Sequence, residues 1–532
     1  MNAGSPVIHV DADVAVVGAG PSGLTVANLL ADRGWAVALV ERHPTLFGLP
    51  RAGHIDHEAF RILQAINCLH PVLERSLPKK RNVWLDRNGE VLLEFKHWAE
   101  TASGFFSGSM YQPDLEEALM SGLRSKQDRV RLFQGFTVDG LSQEDEGVAV
   151  EASGTDKPGS QLHLWCRYLV AADGAGSVVR GLLGIERDEF AVAERWMVVD
   201  ARYDGRRDFG PTAVVGDPRR PHFFGALGRN HHRFEWKLFD HEETNAYLVP
   251  ERAWSLLEQD KVLPGDVEIV RQAVFTFEYN MARQWLSGRV ALVGDAAHTM
   301  PPTMGQGLCS GMRDGVNIAW KLDLVLRGVC SPDLLDTYQS ERYPHVKGWA
   351  DLSKEAGEIA FITDIEKADE RDRRFRAGER PHMGGTPLLG EGAFDAVSAS
   401  RFEQVGRPFP QKPVLRAGQE MPFDDAAGTG FCLFVESEIA DGLSPAARDV
   451  LESLQVRVLK LSKDGSGDSV ADMDGYYADI FRTSGASFFL LRPDRYVMAA
   501  GTNPADRERI LADASTILRL RPVGQPALAQ AS

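Results

Sequence analysis

The chain's first apolar run is Val14-Ala15-Val16-Val17, set between Asp13 and a glycine. A short apolar run ending in a turn suits a strand buried on both faces of a parallel sheet. Leu24, Ala27 and Leu30, with Val26 and Leu29 beside them, then recur at helical spacing and predict a one-sided helix. Ala36–Val40 is a second apolar run, closed by Glu41. Strand-like and helix-like segments alternate in this way from residue 13 to about 345, which predicts an α/β architecture. Within that span Trp196–Tyr203, His222–Leu227 and Phe234–Phe239 read as strands of a further sheet. Near the end of the span a helix is expected from about Met312 to Leu326. From about 363 to 415 the pattern changes. Asp364–Arg380 is densely charged, Gly- and Pro-bearing stretches follow it, and a domain connection is expected there. Beyond it Phe431–Glu436, Val456–Leu461, Phe488–Leu491 and Tyr496–Ala500 predict strands of a separate compact domain.

Composition narrows the picture. A chain of 532 residues has room for roughly two to four domains and for large cores without disulfides. A net charge of −16 argues against nucleic acid or an anionic membrane as partner. The five cysteines are odd in number, widely spaced and lack CxxC, so neither a disulfide framework nor a cysteine zinc site is expected. No signal pattern opens the chain, no stretch approaches about 18 apolar residues, and no tandem repeat is visible. A protein of the reducing cytoplasm is the expectation, with neither nucleic acid nor membrane as partner.

The strongest local signal is DVAVVGAGPSGLTVANLLADRGWAVALVER. Gly18, Gly20 and Gly23 form GxGxxG after a strand and at a helix start. The first permits a tight turn, the second lets backbone approach a pyrophosphate, and the third lets helix pack on strand. The helix N-terminus offers free N–H groups and a positive dipole end to phosphate. Glu41 lies 23 residues after Gly18, near the spacing of about 20 at which a carboxylate bonds ribose hydroxyls. Glu rather than Arg there disfavours a 2′-phosphate. The motif alone does not separate FAD from NAD.

Two later segments do. In YLVAADGAGSVVR (Tyr168–Arg180) a strand runs into Asp173-Gly174. In RVALVGDAAHTMPPTMGQGLCSG (Arg289–Gly311) a strand ends in Gly294-Asp295 and a glycine-rich loop follows. With GAGPSG, DG and GDAAH in this order, the chain resembles the single-component flavoprotein aromatic hydroxylases, the para-hydroxybenzoate hydroxylase family, over about residues 10–350. PRAGHIDHEAFRILQ, QPDLEEAL, GLCSGMRDGVNIAWKL and LLDTYQSERYPH are similar to the 3-(3-hydroxyphenyl)propionate hydroxylase type, with aromatic-polyketide hydroxylases close by. The resemblance implies a Rossmann-like FAD-binding domain at 1–75, 100–185 and 280–385 and an inserted β-sheet substrate domain at 76–99 and 186–279. It also implies a C-terminal thioredoxin-like domain at 400–532, whose single Cys432 rules out dithiol redox work and points to packing or a subunit interface.

Carried over residue by residue, the resemblance implies tightly bound, non-covalent FAD. Gly18, Gly20 and Ser22, with Pro21 and Gly23 in the same turn, would line its pyrophosphate, and Glu41 with Arg42 the adenosine ribose. Arg51 falls on a flavin-contacting position, and Gln112 on one contacting the FAD chain. Asp173 and Gly174 are tied to FAD and NAD(P)H, and Asp295 to the ribityl chain. Pro302 shapes the loop at the flavin edge, and Gly305, Gln306, Gly307 and Leu308 would pass under the pyrimidine ring. A loop of that kind sets N–H groups and a helix dipole against N1 and O2, where reduced flavin is anionic. Many relatives have Asn where Cys309 stands, so that side-chain contact is not carried over.

No second complete GxGxxG exists, since Gly174-Ala175-Gly176 lacks the third glycine at the right step. That favours NAD(P)H as a transient reductant. The implied reaction is hydroxylation of a small phenolic compound by FAD, NAD(P)H and O2 through a flavin C4a-hydroperoxide, the protein excluding water and orienting the ring. A base with a pKa near 7 would activate the ring. His54, three residues after Arg51, is the candidate, and a loop histidine bonded to backbone is the alternative. Asp56 and His57 are weaker candidates. Arg233 or Arg219 could pair with a substrate carboxylate, with a surface charge as the alternative for each. His298 reads as structural, and His231 and His232 lack ligand spacing, so no metal is expected. A homodimer is implied by resemblance alone. Polyketide hydroxylation, Baeyer–Villiger oxygen insertion, nitrophenol denitration and a non-catalytic flavin-binding sensor stay open. A flavin halogenase does not, because the ten Trp include no pair two apart.

Overall fold

The structure is a computed structural model that describes residues 7–79, 81–96, 104–156, 159–204, 208–381, 384–436 and 443–521. The chain forms two compact units. One comprises Met1–Ala99, Phe106–Arg313 and Val346–Thr386, the other Glu100–Phe105, Asp314–His345 and Pro387–Ser532.

The first unit carries a sheet in the order Leu286–Ser287, Val290–Leu292, Gln161–Ala171, Val7–Val17, Val37–Glu41, Val130–Gln134. From Val290–Leu292 onward its neighbours are parallel. Val14–Val17 is buried at its centre, as an apolar run covered on both faces must be. Helix Pro21–Asp32 starts at Gly20 with proline in its first turn and buries every residue from Gly23 to Ala31. It is therefore buried all round rather than on one side, Thr25 and Asn28 included. Its second side packs on helix Gln112–Arg124, where Asn28 Nδ2 donates to Leu119 O at 2.9 Å.

A second sheet runs His298–Thr299, Glu268–Ala282, Arg187–Arg202, His231–Lys237, His222–Leu227, Thr212–Val215, Arg81–Leu85, Val91–Lys96. Side chains alternate between its faces. Met197, Val199, Phe234 and Trp236 bury one face against Ala253, Leu256 and Leu257 of helix Pro250–Leu257. Asp200, Phe223, Arg233 and Glu235 share the other. A three-stranded sheet joins His54–Ile55, Gly108–Ser109 and Leu77–Pro78.

Two expectations are corrected here. The charged part of the expected connection is structured, Ile365–Arg376 being a helix of the first unit, capped by Asp364 and burying Ala368, Arg371, Asp372 and Phe375, while the division between the units falls at Thr386–Pro387 in the Gly- and Pro-bearing part. Its apolar stripe is too thin to show against nine charged residues, because Arg371 fills part of it, donating to Gly216 O, Ile359 O and Ala360 O. The helix expected from Met312 begins at Gly307. Its first turn, GLCSG, has loop composition, yet Cys309 and Ser310 are fully buried.

The second unit holds a seven-stranded sheet, Gln419–Pro422, Pro413–Arg416, Ser469–Asp472, Arg457–Ser462, Cys432–Val435, Phe488–Leu491, Val497–Gly501. Phe409, Phe423, Phe434, Tyr477, Phe481 and Phe489 fill its core. Cys432 is buried there, and burial pushes its thiol up to about 12. In the same unit Glu341 is fully buried, 2.9 Å from Arg492 Nη2, 3.0 Å from Lys321 Nζ and 2.7 Å from Asn317 Nδ2. Burial alone would raise its carboxyl, but Arg492 and Lys321 hold it down at about 2. Its stabilising contribution is present above the ordinary glutamate range and is lost as pH falls toward 2. Glu341→Gln leaves two buried cations short of a counter-charge and should cost about 3–5 kcal/mol in a urea unfolding titration.

Candidate active site

The glycine turn follows from close packing. Gly18 has φ +103°, and a Cβ on it would lie 2.4 Å from Ala172 O. A Cβ on Gly23 would lie 2.0 Å from Gly18 O. Gly20 differs: the nearest atom to its Cβ direction is Arg51 Nη2 at 3.9 Å. Open space therefore lies between the N-terminus of helix Pro21–Asp32 and a guanidinium, both attractive to a diphosphate. Ser22 packs between the other motifs. Its Oγ would be 2.7 Å from a Cβ on Gly294 and 2.3 Å from one on Gly311. GAGPSG, GDAAH and the helix after the glycine-rich loop thus converge on one side chain. Arg180 bridges DG to GDAAH, donating to Ala175 O at 2.8 Å and Ala296 O at 2.7 Å.

Acceptors ring this turn. Glu41 accepts from Ala19 N at 2.7 Å and His43 N at 2.9 Å, which fixes its carboxylate at the strand end; Arg42 is exposed beside it. Asp173 accepts from Val179 N at 3.1 Å, while its buried Oδ1 has no hydrogen-bond partner. An orphan acceptor beside a diphosphate-shaped turn fits a dinucleotide bearing hydroxyl donors. Asp295 is exposed in the short Gly294–Ala296 helix. Gln112 works within the protein. Its Oε1 accepts from Arg51 N at 3.0 Å and Ala52 N at 2.7 Å, and its Nε2 donates to Glu116 at 2.6 Å.

The glycine-rich loop turns at Gly305, φ +66°, where a Cβ would sit 2.7 Å from His54 Cβ. His54 hydrogen-bonds through Nδ1 to Gly108 O at 3.1 Å. Pro302 is exposed, and its carbonyl accepts from Gly305 N at 2.8 Å. Gln306 is buried and faces inward, its Oε1 accepting from Arg313 Nη2 at 3.0 Å. Gly307 and Leu308 open the helix, half-buried. Arg313 also donates to Asp56. Burial alone would raise the Asp56 carboxyl, yet Arg313, with His57 and the Ala59 N–H, holds it below its ordinary value. Asp56 is thereby a helix cap and ion-pair partner, accepting from Ala59 N at 2.9 Å. Lys79, beside the His54 strand pair, is pulled down to about 8 by burial.

The sheet face opposite the Phe234–Trp236 core is held against this segment. Arg233 donates to Asp200 at 2.7 and 2.9 Å, to Arg51 O at 2.6 Å and to Pro50 O at 3.2 Å. Arg271 adds a bond to Pro50 O at 2.6 Å. A Cβ on Gly53 would meet Leu227 Cδ2 at 2.2 Å. Arg233 is therefore a buried clamp, neither the surface charge nor the carboxylate partner considered from sequence. Arg219 is exposed and paired with Asp217 at 2.7 Å. His298 is buried against Trp285, ring centroids 5.0 Å apart. His231 stacks on Tyr111, and His232 lies among Phe209 and Phe234.

Sequence reasoning missed Arg180, Arg313, Asp200 and Glu235. Arg180 ends the quoted DG segment and was the one with a local signal. Glu235 is buried on the clamped face, with Arg233 Nη1 at 3.6 Å. Burial raises its carboxyl to about 7, Asp200 adding and Arg233 opposing. An acid raised on folding contributes stability below its unfolded value that is lost as pH rises through its folded value. The wild type should lose on the order of 3 kcal/mol between about pH 4.5 and 7 relative to Glu235→Gln, read from paired thermal melts across that window.

A glycine turn for a diphosphate, an orphan acceptor beside it and a helix-opening loop fit a dinucleotide-binding oxidoreductase, with a second sheet fastened to the same segment. Residues 11–353 match the family model described as FAD binding domain, and 406–516 the HcaD C-terminal domain. The chain belongs to this FAD-binding family of flavin monooxygenases and is an FAD-dependent aromatic hydroxylase. It is 33% identical over 500 residues, 93% of each chain, to a probable NADH-specific resorcinol 4-hydroxylase of Rhodococcus jostii (strain RHA1). It is 32% identical over 538 residues, 96% of this chain and 94% of the other, to a 3-(3-hydroxy-phenyl)propionate/3-hydroxycinnamic acid hydroxylase of Mycolicibacterium smegmatis (strain ATCC 700084 / mc(2)155). In fold it resembles aklavinone-11 hydroxylase solved with FAD and aklavinone, TM-score 0.78 at 24% identity, over 96% of this chain and 99% of that one. Among the described residues no helix is long and apolar enough to cross a membrane.

Proposed function

We propose that this hydroxylase oxidises NADH and inserts one oxygen atom from O2 into a monocyclic phenol. The observation that carries the substrate class is the 33% identity to the resorcinol hydroxylase across 93% of both chains. Bound FAD supplies hydride acceptance and oxygen activation. The chain's residues do the rest. The turn at Gly18–Gly23 and Arg51 would hold the diphosphate, Glu41 the ribose, and Asp173 and Asp295 would accept from hydroxyls of the FAD chain. The N–H groups at Gly307 and Leu308 open a helix and would serve the pyrimidine edge of the flavin, since the helix dipole there favours negative charge. Gln306, Arg313 and Asp56 keep that loop in place, and His54 packs beneath it as a pocket wall. The Arg233 clamp presses the substrate sheet onto Pro50 and Arg51, excluding water.

In the second unit, Cys432–Val435 and Arg457–Ser462 are parallel, and Phe488–Leu491 and Val497–Gly501 follow antiparallel on the other side. That order, with helices Pro445–Ser453, Tyr476–Ser484 and Pro504–Ile517 between and after, supports a thioredoxin-like reading of this domain.

The test is turnover by the purified yellow holoenzyme with resorcinol, phenol and 3-(3-hydroxyphenyl)propionate. Resorcinol should raise NADH oxidation at least tenfold over the substrate-free rate, with matched O2 uptake and a product one oxygen heavier, labelled from ¹⁸O2. Hydrogen peroxide as the sole product with every phenol would overturn the proposal.

A further inference from the structure

We propose that Glu235 accepts the proton of the substrate's hydroxyl and selects uncharged phenols with a second hydroxyl over phenols with a carboxylate side chain. This rests on the phenol-hydroxylase reading above. Glu235 sits mid-strand in His231–Lys237, flanked across the sheet by Val198 and Phe223. Its face is the one Arg233 fastens to Pro50 and Arg51, and Leu227 on that face lies against Gly53. The next residue, His54, carries its ring against Gly305 of the flavin loop. One helix end links loop and sheet: Gly357 sits against Thr303 of that loop, and Phe361 packs edge-on to Trp196 of the sheet, 4.7 Å between centroids. Glu235 thus shares its sheet face with Leu227, Arg233 and Trp196, the residues that meet the segment and the helix end adjoining that loop.

Its charge is only partly answered. Arg233 gives Asp200 two short bonds and reaches Glu235 at 3.6 Å. The charges acting on it are Arg233 on its own strand and Asp200 on Arg187–Arg202, with Arg271 on Glu268–Ala282 in register with Asp200; the loop 301–307 contributes no ionisable side chain. Burial sets its carboxyl at about 7, where a base works best at neutral pH. The step is a plain proton transfer. The phenolic O–H bond breaks, the proton goes to a Glu235 oxygen, and the electron pair stays on the phenolate, enriching the ring's ortho and para carbons. The proton leaves to solvent when product departs. A second ring hydroxyl, meta to the first, keeps the ring a donor toward Glu235. A propionate would bring a like charge toward Glu235 and Asp200, while Arg233 and Arg271 are already engaged with Asp200 and Pro50 O.

The experiment compares wild type, Glu235→Gln and Glu235→Asp as FAD-loaded proteins on resorcinol and on 3-(3-hydroxyphenyl)propionate. In wild type, kcat/KM for resorcinol should exceed that for the propionate at least tenfold. It should rise with pH through an inflection near 7 that barely moves with temperature, as a carboxylic acid's does and an imidazole's does not. Glu235→Gln should lower resorcinol kcat/KM by about 100-fold or more, erase that inflection and narrow the substrate ratio; Glu235→Asp should restore the inflection. Resorcinol kcat/KM within threefold of wild type in Glu235→Gln, with the inflection intact, would overturn the role. If Glu235→Gln does not fold, a temperature-sensitive inflection in wild type overturns it alone. A wild type that hydroxylates no phenol defeats the broader reading instead.

Discussion

Gly23→Ala should purify as a colourless protein. Its Cβ would stand 2.0 Å from Gly18 O, a backbone atom that no rotamer change can move aside. Relief requires helix Pro21–Asp32 to retreat from the Val7–Val17 strand by more than 1 Å at closest fit. That retreat carries the first-turn N–H groups away from the diphosphate. Both losses act together, so FAD affinity should fall by about 100-fold or more, corresponding to about 3 kcal/mol. Flavin absorbance per protein, with equilibrium dialysis against added FAD, measures it. Gly20→Ala supplies the contrast. Its Cβ meets nothing closer than Arg51 Nη2 at 3.9 Å, so the fold should survive and only cofactor affinity should weaken. Equal FAD content in Gly23→Ala and wild type would refute the geometric account of the turn.

The difference between these glycines also marks what sequence could convey. The spacing of Gly18, Gly20 and Gly23, the apolar run before them and Glu41 after them are all local, so the nucleotide turn was legible. The same holds for the strand candidates at His222–Leu227 and Phe488–Leu491, whose apolar and aromatic content is dense enough to stand out. What was not legible depends on partners far along the chain. Arg313 acts through Asp56, 257 residues away, and Arg233 through Arg51, 182 residues away. Seen alone, each is an arginine with no local mark of its partner, and for Arg233 a surface charge was one of the two readings. Glu235 lay in HHRFEW, where a strand with one polar face predicts an exposed carboxylate. Glu235 is buried all the same, on the face that Arg233 fastens to Pro50 and Arg51. Ile365–Arg376 failed as a helix in the opposite direction, because its buried stripe includes Arg371 and Asp372, which answer each other at 2.7 Å.

Breaking the Arg233 clamp should separate stability from catalysis. Asp200 is fully buried, and Arg233 is its hydrogen-bonding cation. Arg233→Met leaves that carboxylate buried and uncompensated, a loss of about 3–5 kcal/mol. Removing the charge as well, in Asp200→Leu/Arg233→Met, should return most of that stability, since apolar replacements of a buried pair are often neutral or better. Function should not return with it. The clamp also donates to Arg51 O and Pro50 O, and of these only Pro50 O keeps a donor, Arg271, in the double variant. The sheet can then shift against the segment carrying Arg51 and His54, and water gains access to the oxygen-activating step. The double variant should therefore melt near the wild type and still oxidise NADH, while its oxygenated product per NADH falls severalfold and hydrogen peroxide takes its place. Full coupling in a stable double variant would mean that Arg233 serves only to neutralise Asp200. A coupling loss that tracks stability across all three proteins would mean the same. Recovery of melting temperature without recovery of coupling is the outcome that ties this arginine to more than neutralising Asp200, because the double variant lacks the two backbone bonds of the intact clamp and the Arg233–Glu235 pair.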